Sequence, residues 1–558
     1  MSLTRFFNSK NDLKLLTGLF FAFFIAVGLF NEYLACGAAA LLSVFLIFKF
    51  KSVNKVNFYI NATSISCILI AAFYLISVLY AVDSGMAFIG FVKWTPVLLF
   101  LIAIMQYDDA RSSLLRYLPY LIAAVTAVCA VLSFFKPFSS YFVFAGRFAG
   151  FLQYPNTFAI LLLICELILV SNFKKNIFDI LTLLVFIGGI IYTGSRTAFA
   201  IAIVANFAFV FFIKNRKVKI SLLTGTVVAV AGVIVIALIA DNEVIDRLLK
   251  FSANSSTLNG RLLYYLDALP VILKHPFGTG YLGYFYMQQS IQTGVYSVMF
   301  IHNDLLQLIL DIGWVPGIAL VVAVVKTVFA KGTEPFRRIA VSALCLHSLF
   351  EFNLQFIAIF CLLVLLLDYN KGEKKVFKVK GAALFAVAVI GVLGIYMSIA
   401  LGLSYFRNYA AADALYPYNT QNKISLLTRA DTEEANDIAD SIIAQNEYVA
   451  VSYSAKARYA YKKGDFGNVI IYKRKVYEVS PFNYADIKEY GYMLASGIEL
   501  YNKAGDTKSA EVCKKELKNI PVFLNAASEK VSFFGKRIYD QPTTELPKDL
   551  TDYMEAME

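Results

Sequence analysis

Apolar runs of about 20 residues recur along this chain, and runs of that length match the thickness of a bilayer core. About 13 can be placed: 13–29, 33–48, 58–81, 86–107, 113–135, 156–172, 177–194, 196–213, 220–240, 304–328, 338–351, 353–368 and 380–404. Hydrophobic residues make up 59% of the 558 and charged residues 16%. A water-soluble protein of this size could not hide so much apolar surface. The expected fold class is therefore all-α: a polytopic helical membrane protein of about 13 transmembrane helices. Two stretches are delicate. The run 176–213 is broken only by "TGSRT" and the run 338–368 only by "FEFN". Each is too long for one span and just long enough for two.

Charge placement tests the count. Basic residues follow every even-numbered span: Lys49, Lys51 and Lys55; Arg111 and Arg116; Lys174 and Lys175; "KNRKVK" (214–219); Lys331, Arg337 and Arg338; "KGEKKVFKVK" (371–380). The N-terminal segment, with Arg5, Lys10 and Lys14, is basic too. The positive-inside rule then puts the N-terminus in the cytoplasm and the tail outside. The net charge of +12 is a topology signal and not a nucleic-acid patch, because it resides in the short loops. From residue 405 onward there are 20 Lys+Arg against 22 Asp+Glu, so the first 404 residues carry +14. The seven cysteines form no CxxC pair, and six lie in apolar runs, which argues against a disulfide framework. The first run leads directly into another, so it reads as an uncleaved span and not as a signal peptide.

Residues 1–404 form the membrane domain, with a large loop at 241–301. Residues 405–532 read as a helical domain. Gly464-Asp465 opens one helix and Pro481 closes it; Gly505-Asp506 and Pro521 repeat the pattern 41 residues later. This resembles tetratricopeptide (TPR) repeats, although Val469 and Val476 stand where Ala is preferred. Residues 533–558 are expected to form a loosely ordered tail.

Basic residues on the outer face need a reason. Arg147 lies in "FAGRFAGFLQYPNTFA", Arg196 in "IYTGSRTAFA", and Arg261 in the long loop; His302 follows at the start of span ten. Arg196 interrupts 38 mostly apolar residues. An arginine at membrane depth costs about 2.5–3.5 kcal/mol, and such residues usually line a polar cavity; a snorkelling side chain is the plainer alternative. Three arginines on one face would suit a diphosphate, since guanidinium forks bind phosphate oxygens in pairs. "GTGYLG" matches a dinucleotide fingerprint, but no strand precedes it, so its glycines are better read as shaping a tight turn. The three histidines lack metal-ligand spacing. His347 and Glu351, four apart, would share a helix face as a buried polar pair or join the outer cavity. Pro155-Asn156 and Asn303-Asp304 read as helix starts and caps.

The ordered series "GRFAGFLQYPNTFA", "TGSRTAF", "NGRLLYYLDALPVILKHPFGTGYLGYF" and "HNDLLQLILDIGWVPG" resembles the O-antigen ligase and O-antigen polymerase superfamily of bacterial membrane glycosyltransferases. The resemblance implies a glycan donor on a polyprenyl diphosphate and a glycan, lipid or protein acceptor, with no metal and no cofactor. It implies that Arg196 and Arg261 bind the diphosphate, that Arg147 assists, and that His302 meets the acceptor hydroxyl. An imidazole can accept a proton at neutral pH. Pro276, Gly278 and Gly280 would shape the loop. The expected location is the bacterial cell membrane, with the TPR-like domain outside and open to a protein partner. A protein oligosaccharyltransferase shares these motifs. A lipid-linked glycan flippase is the rival from another class, but no internal repeat marks the spans.

Overall fold

The computed structural model of the chain describes residues 11–174, 176–212 and 256–557, with short pieces between 219 and 248. Span 220–240, the basic run 214–219 and the first part of the 241–301 loop lie largely outside the described residues. The rest is helical, with two short two-stranded ribbons among the described residues. In chain order the first elements are α1 (Asn11–Ile25), α2 (Glu32–Val53), β1 (Lys55–Ile60), α3 (Ala62–Ser77), α4 (Ser84–Ile104) and α5 (Ala110–Ser133). After them come α6 (Lys136–Phe142), β2 (Val143–Phe144), β3 (Arg147–Phe148), α7 (Pro155–Ser171), α8 (Ile177–Tyr192) and α9 (Arg196–Val210). The series continues with α10 (Ser256–Lys274), α11 (Gly283–Ile291), α12 (Asp304–Ile312), α13 (Trp314–Phe329), α14 (Pro335–Ser348), α15 (Ile357–Leu366), β4 (Glu373–Lys378) and α16 (Gly381–Tyr405).

The protein is an all-α polytopic membrane protein. Among the described residues, α2, α4, α5 and α16 are long and apolar enough to cross a bilayer unaided, and α3, α7, α8, α9, α13 and α15 are shorter apolar helices. The first and last of the long helices pack closely. A Cβ on Gly394 of α16 would meet the Cys36 carbonyl oxygen of α2 at 2.7 Å, so the missing side chain lets the two backbones approach.

The ends of the spans differ from expectation in three places. Span three was expected at 58–81, but its start is strand β1, which pairs antiparallel with β4, Lys55 opposite Lys378. The helix begins only at Ala62. Span ten is broken in two at Gly313 (φ +85°). A loop from Pro276 to Gly280 inserts there and satisfies the freed backbone groups: Trp314 N–H donates to the Pro276 carbonyl (3.1 Å), and Thr279 and Gly280 donate to Leu310 and Asp311 (2.6 and 2.9 Å). Gly278 has φ +87°, and a Cβ on it would lie 2.5 Å from the Asp311 backbone. Only glycine fits such a contact in that conformation. The segment 353–368 holds just the ten residues of α15, all of them buried.

So short a helix is tolerated because it is enclosed by protein, where its ends find partners. At one end its carbonyls are capped by arginines. Arg111 Nε donates to Leu365 O (2.8 Å), and Arg337 Nε donates to Leu366 O (2.9 Å). Cations there also complement the helix dipole. These arginines, in the first turns of α5 and α14, are thus structural caps at the basic end of the bundle. The polar break before α15 lies at the opposite end.

After α16 come α17 (Tyr409–Leu415), α18 (Thr420–Leu427), α19 (Thr432–Gln445), α20 (Ala450–Lys462), α21 (Phe466–Val479), α22 (Tyr484–Lys503), α23 (Thr507–Glu529) and α24 (Lys548–Glu555). Asp465 and Asp506 accept from Asn468 N and Ser509 N as the N-caps of α21 and α23. Pro521, expected to end its helix, instead lies inside α23. The stretch from Phe533, expected to be loose, makes defined contacts: Leu550 is buried against Gly491, and Tyr539 N donates to Ser256 Oγ (3.0 Å).

Asp83 fastens this array to the bundle. Its buried carboxylate caps α4 at Met86 N (2.9 Å) and accepts from Thr420 Oγ1 (2.5 Å), Gln445 Nε2 (3.1 Å) and Asn446 Nδ2 (3.1 Å). Asp83→Ala removes a cap and strands three donors, which should cost about 2–3 kcal/mol. The tail helices should then be released faster in limited proteolysis of the detergent-solubilised protein; an unchanged cleavage rate would contradict the role.

Candidate functional site

The two breaks in the long apolar runs meet at the end of the bundle opposite the arginine caps. "FEFN" ends α14 and places Glu351 in the turn before α15, with a side chain only 1% exposed. Four groups converge on that carboxylate. Tyr154 donates to Oε2 (2.6 Å) and Asn156 Nδ2 to Oε1 (2.6 Å). Arg261 Nη2 is ion-paired with Oε1, and His302 Nδ1 lies 3.2 Å from Oε2. Donors and a cation on both oxygens suit the carboxylate form of Glu351.

Arg147 joins through Asn156. A two-residue hairpin with positive φ at Ala145 and Gly146 turns β2 into β3, the geometry of a type I′ turn. This delivers the Arg147 guanidinium to Asn156 Oδ1 (2.5 Å) and to the Thr193 carbonyl (2.7 Å). Thr193 closes α8, and Arg196 opens α9 three residues later, half-buried. The structure thus brings Arg147, Arg261 and His302 into one network and puts Arg196 beside it through Thr193.

His302 sits in the left-handed region, φ +54°, where a non-glycine residue is uncommon and is held by its surroundings. The constraints are visible. Tyr265 on α10 donates to the His302 carbonyl (2.7 Å), and Ile301 N donates to Gln307 Oε1 (3.1 Å). The ring packs on Phe352 at 5.0 Å and faces Tyr264 at 6.4 Å. Its side chain is 24% exposed and that of Arg261 14%, so both reach the surface of the cluster. With Nδ1–H given to Glu351, Nε2 is the ring nitrogen able to take a proton. Pro276, Gly278 and Gly280 lie in the inserted loop and do not touch Glu351. Among the described residues, no three His, Cys, Asp or Glu side chains are grouped to hold a metal ion.

Other neighbours differ from the sequence reading. Tyr154, not Asn156, is the N-cap position of α7; Asn156 spends its side chain bridging Arg147 and Glu351. Asn303 does cap α12, accepting from Leu306 N (3.0 Å), but Asp304 is buried and accepts from Leu354 N (3.0 Å). His347 and Glu351 do not form a helix-face pair, because α14 ends at Ser348. His347 bonds Asn353 instead, at 3.1 Å.

A family model described as O-antigen ligase matches residues 181–322. This match supports the O-antigen ligase superfamily for that part of the chain. No curated protein matches the chain. The O-antigen ligase match spans Arg196, Arg261, the inserted loop and His302, while Arg147 and Glu351 lie outside it. The match supports a membrane glycan-handling enzyme of polysaccharide assembly.

Glu351 escaped the sequence reading as a centre, although a signal existed. It is a carboxylate in the otherwise apolar run 338–368, the same argument that singles out Arg196. Glu351→Gln should destabilise the fold by about 3 kcal/mol, since it leaves Arg261 with a lost partner. Thermal unfolding of the detergent-solubilised variant should show a lowered Tm; a Tm equal to that of the wild type would contradict the role.

Proposed function

We propose that this protein transfers a glycan from a polyprenyl diphosphate to an acceptor hydroxyl on the extracytoplasmic face of a bacterial cell membrane. The convergence of Arg261, His302 and, through Asn156, Arg147 on buried Glu351 carries this reading. Arg196 and Arg261 hold the diphosphate, with Arg147 beside them. Arg261 has five N–H donors, so it can keep Glu351 and still offer a fork to phosphate oxygens. Glu351 orients His302 and stabilises the imidazolium that forms.

The chemistry needs one proton transfer and one substitution. His302 Nε2 takes the proton of the acceptor hydroxyl as its oxygen attacks the anomeric carbon. The bond from that carbon to the diphosphate breaks, and the polyprenyl diphosphate leaves with both electrons. The guanidinium groups offset the charge growing on the leaving oxygen. An O-antigen ligase or polysaccharide polymerase acts in this way. The basic exits of the even-numbered spans support an extracytoplasmic site and tail. The tail's capped helical hairpins support a TPR-like unit at 405–532 able to recruit a protein partner.

Purified protein in nanodiscs, given a polyprenyl-diphosphate glycan, should transfer it. Products of many lengths mark a polymerase, and single capping of an acceptor marks a ligase. His302→Ala, Arg196→Ala and Arg261→Ala should each lose at least about 100-fold in transfer rate while staying membrane-inserted. Full activity in all three would overturn the site. A cysteine at position 461 should react with an impermeant thiol reagent on intact spheroplasts; labelling only after lysis would overturn the topology.

A further inference from the structure

The ribbon of β1 and β4 carries cations that the candidate site does not use. β1 leaves α2 through Asn54 and enters α3 through Asn61, and it stays extended between them. A paired strand cannot double back, so it runs across the helix ends at the basic face. β4 lies beside it and leads through Val379 and Lys380 into α16. A Cβ on Gly391 would meet Ser43 at 3.0 Å, and one on Gly394 would meet Cys36, so α2 and α16 run antiparallel. The last turn of α2 therefore lies beside the first turn of α16. The ribbon closes this pair at the level where the headgroups of a bilayer begin.

Ion pairs sort the lysines here into two groups. At one end Lys375 pairs with Glu373, and Lys371 with Asp368 (3.0 Å). Lys374 reaches Asp108 (3.9 Å) and sits over the Tyr59 ring (5.5 Å). At the other end are Lys51, Lys55, Lys378 and Lys380, all exposed, and none of them forms an ion pair with a described residue. Asp12 of α1 is held by Lys49 (2.6 Å). Lys55 stands directly opposite Lys378, a placement in which Cβ atoms are about 5 Å apart and like charges repel. Lys380 follows on the same face of the ribbon, with Val379 N donating to Asn54 O (3.3 Å) to extend the pairing. It is also the N-cap residue of α16, the end at which a helix dipole disfavours a cation. Lys51 lies in the last turn of α2.

Four cations gathered without a counter-charge among the described residues suit an anion, and their neighbours indicate which kind. Val376 and Phe377, directly before Lys378, are 55% and 53% exposed. Lysines beside exposed aromatic and aliphatic side chains, at the ends of membrane helices, are the composition that enters a headgroup layer. We propose that Lys51, Lys55, Lys378 and Lys380 bind the phosphate of an anionic phospholipid in the leaflet at the basic face. The bound headgroup bridges the end of α2 to the start of α16 and offsets the repulsion between Lys55 and Lys378. The ribbon lies at the end of the bundle opposite Glu351, so the lipid site stands independently of the transfer reading.

Lipid binding can be counted by native mass spectrometry on the full-length protein, delipidated in detergent. The probes are dioleoyl phosphatidylglycerol, dioleoyl phosphatidylcholine as the neutral lipid, and inorganic phosphate as the free anion. Phosphatidylglycerol should bind in preference to phosphatidylcholine, and equimolar inorganic phosphate should not displace it. A lysine at an anionic headgroup is worth about fivefold in binding, so Lys378→Gln with Lys380→Gln should weaken phosphatidylglycerol binding about 25-fold. Lys378→Arg with Lys380→Arg, which keeps the charge, should bind as wild type. Lys374→Gln with Lys375→Gln removes the same charge where acids already pair, and should weaken binding less than about threefold. These side chains are exposed, so the lipid-free Tm of each variant should match wild type. Equal loss in the two glutamine pairs would mean diffuse attraction and would overturn the site. Equal binding of the two lipids would overturn it too, and displacement by equimolar phosphate would overturn the lipid as its occupant.

Discussion

A single buried carboxylate organises the candidate site of this protein. Glu351 is nearly inaccessible, yet it carries a charge, because Arg261, His302, Tyr154 and Asn156 all point at it. Those groups come from α10, the segment before α12, and the start of α7. Elements far apart in the chain are thus tied to one atom pair. An unpaired charge at such a place would be costly, so the arrangement is close to all-or-none. The same carboxylate holds Arg261 and selects the orientation of the histidine ring.

The bundle makes this possible by sacrificing regular spans. α15 has ten residues, too few to cross a bilayer alone, and it is enclosed on all sides. Arginines from the first turns of α5 and α14 cap its carbonyls at one end, and the turn holding Glu351 and Asn353 precedes it at the other. The interrupted helix at Gly313 follows the same logic, with the inserted loop supplying the missing partners. Irregular backbone is affordable inside the membrane region only where protein surrounds it. The site is built from such places.

Much of this was legible in the chain. Apolar runs and basic exits located most helices, and the same reasoning picked Arg147, Arg196, Arg261 and His302 as exceptions at one face. The two breaks at "TGSRT" and "FEFN" were visible as interruptions, and both border the site. Less was legible where a residue has two possible jobs. Asn156 looked like a cap because caps are local and need no tertiary partner; it is a bridge because Arg147 and Glu351 happen to flank it. His347 and Glu351 looked like a helix pair because a helix end cannot be read to the residue. Asp83 drew no attention, since its partners, Thr420, Gln445 and Asn446, lie more than 300 positions away.

The sequence by itself determined the class of solvent, the helical class of the fold, and which polar residues stand out at one face. It could do so because membrane insertion prices each residue locally, by hydropathy and charge, before any long-range contact forms. Only the tertiary structure decided that Glu351 is the meeting point, that Arg111 and Arg337 cap a buried helix, and that Ser532 and Tyr539 of the tail bond to Thr293 and Ser256. Those facts depend on directed hydrogen bonds and ion pairs between distant segments. No periodicity or composition encodes such pairs, because their energy appears only once the segments share a water-poor space.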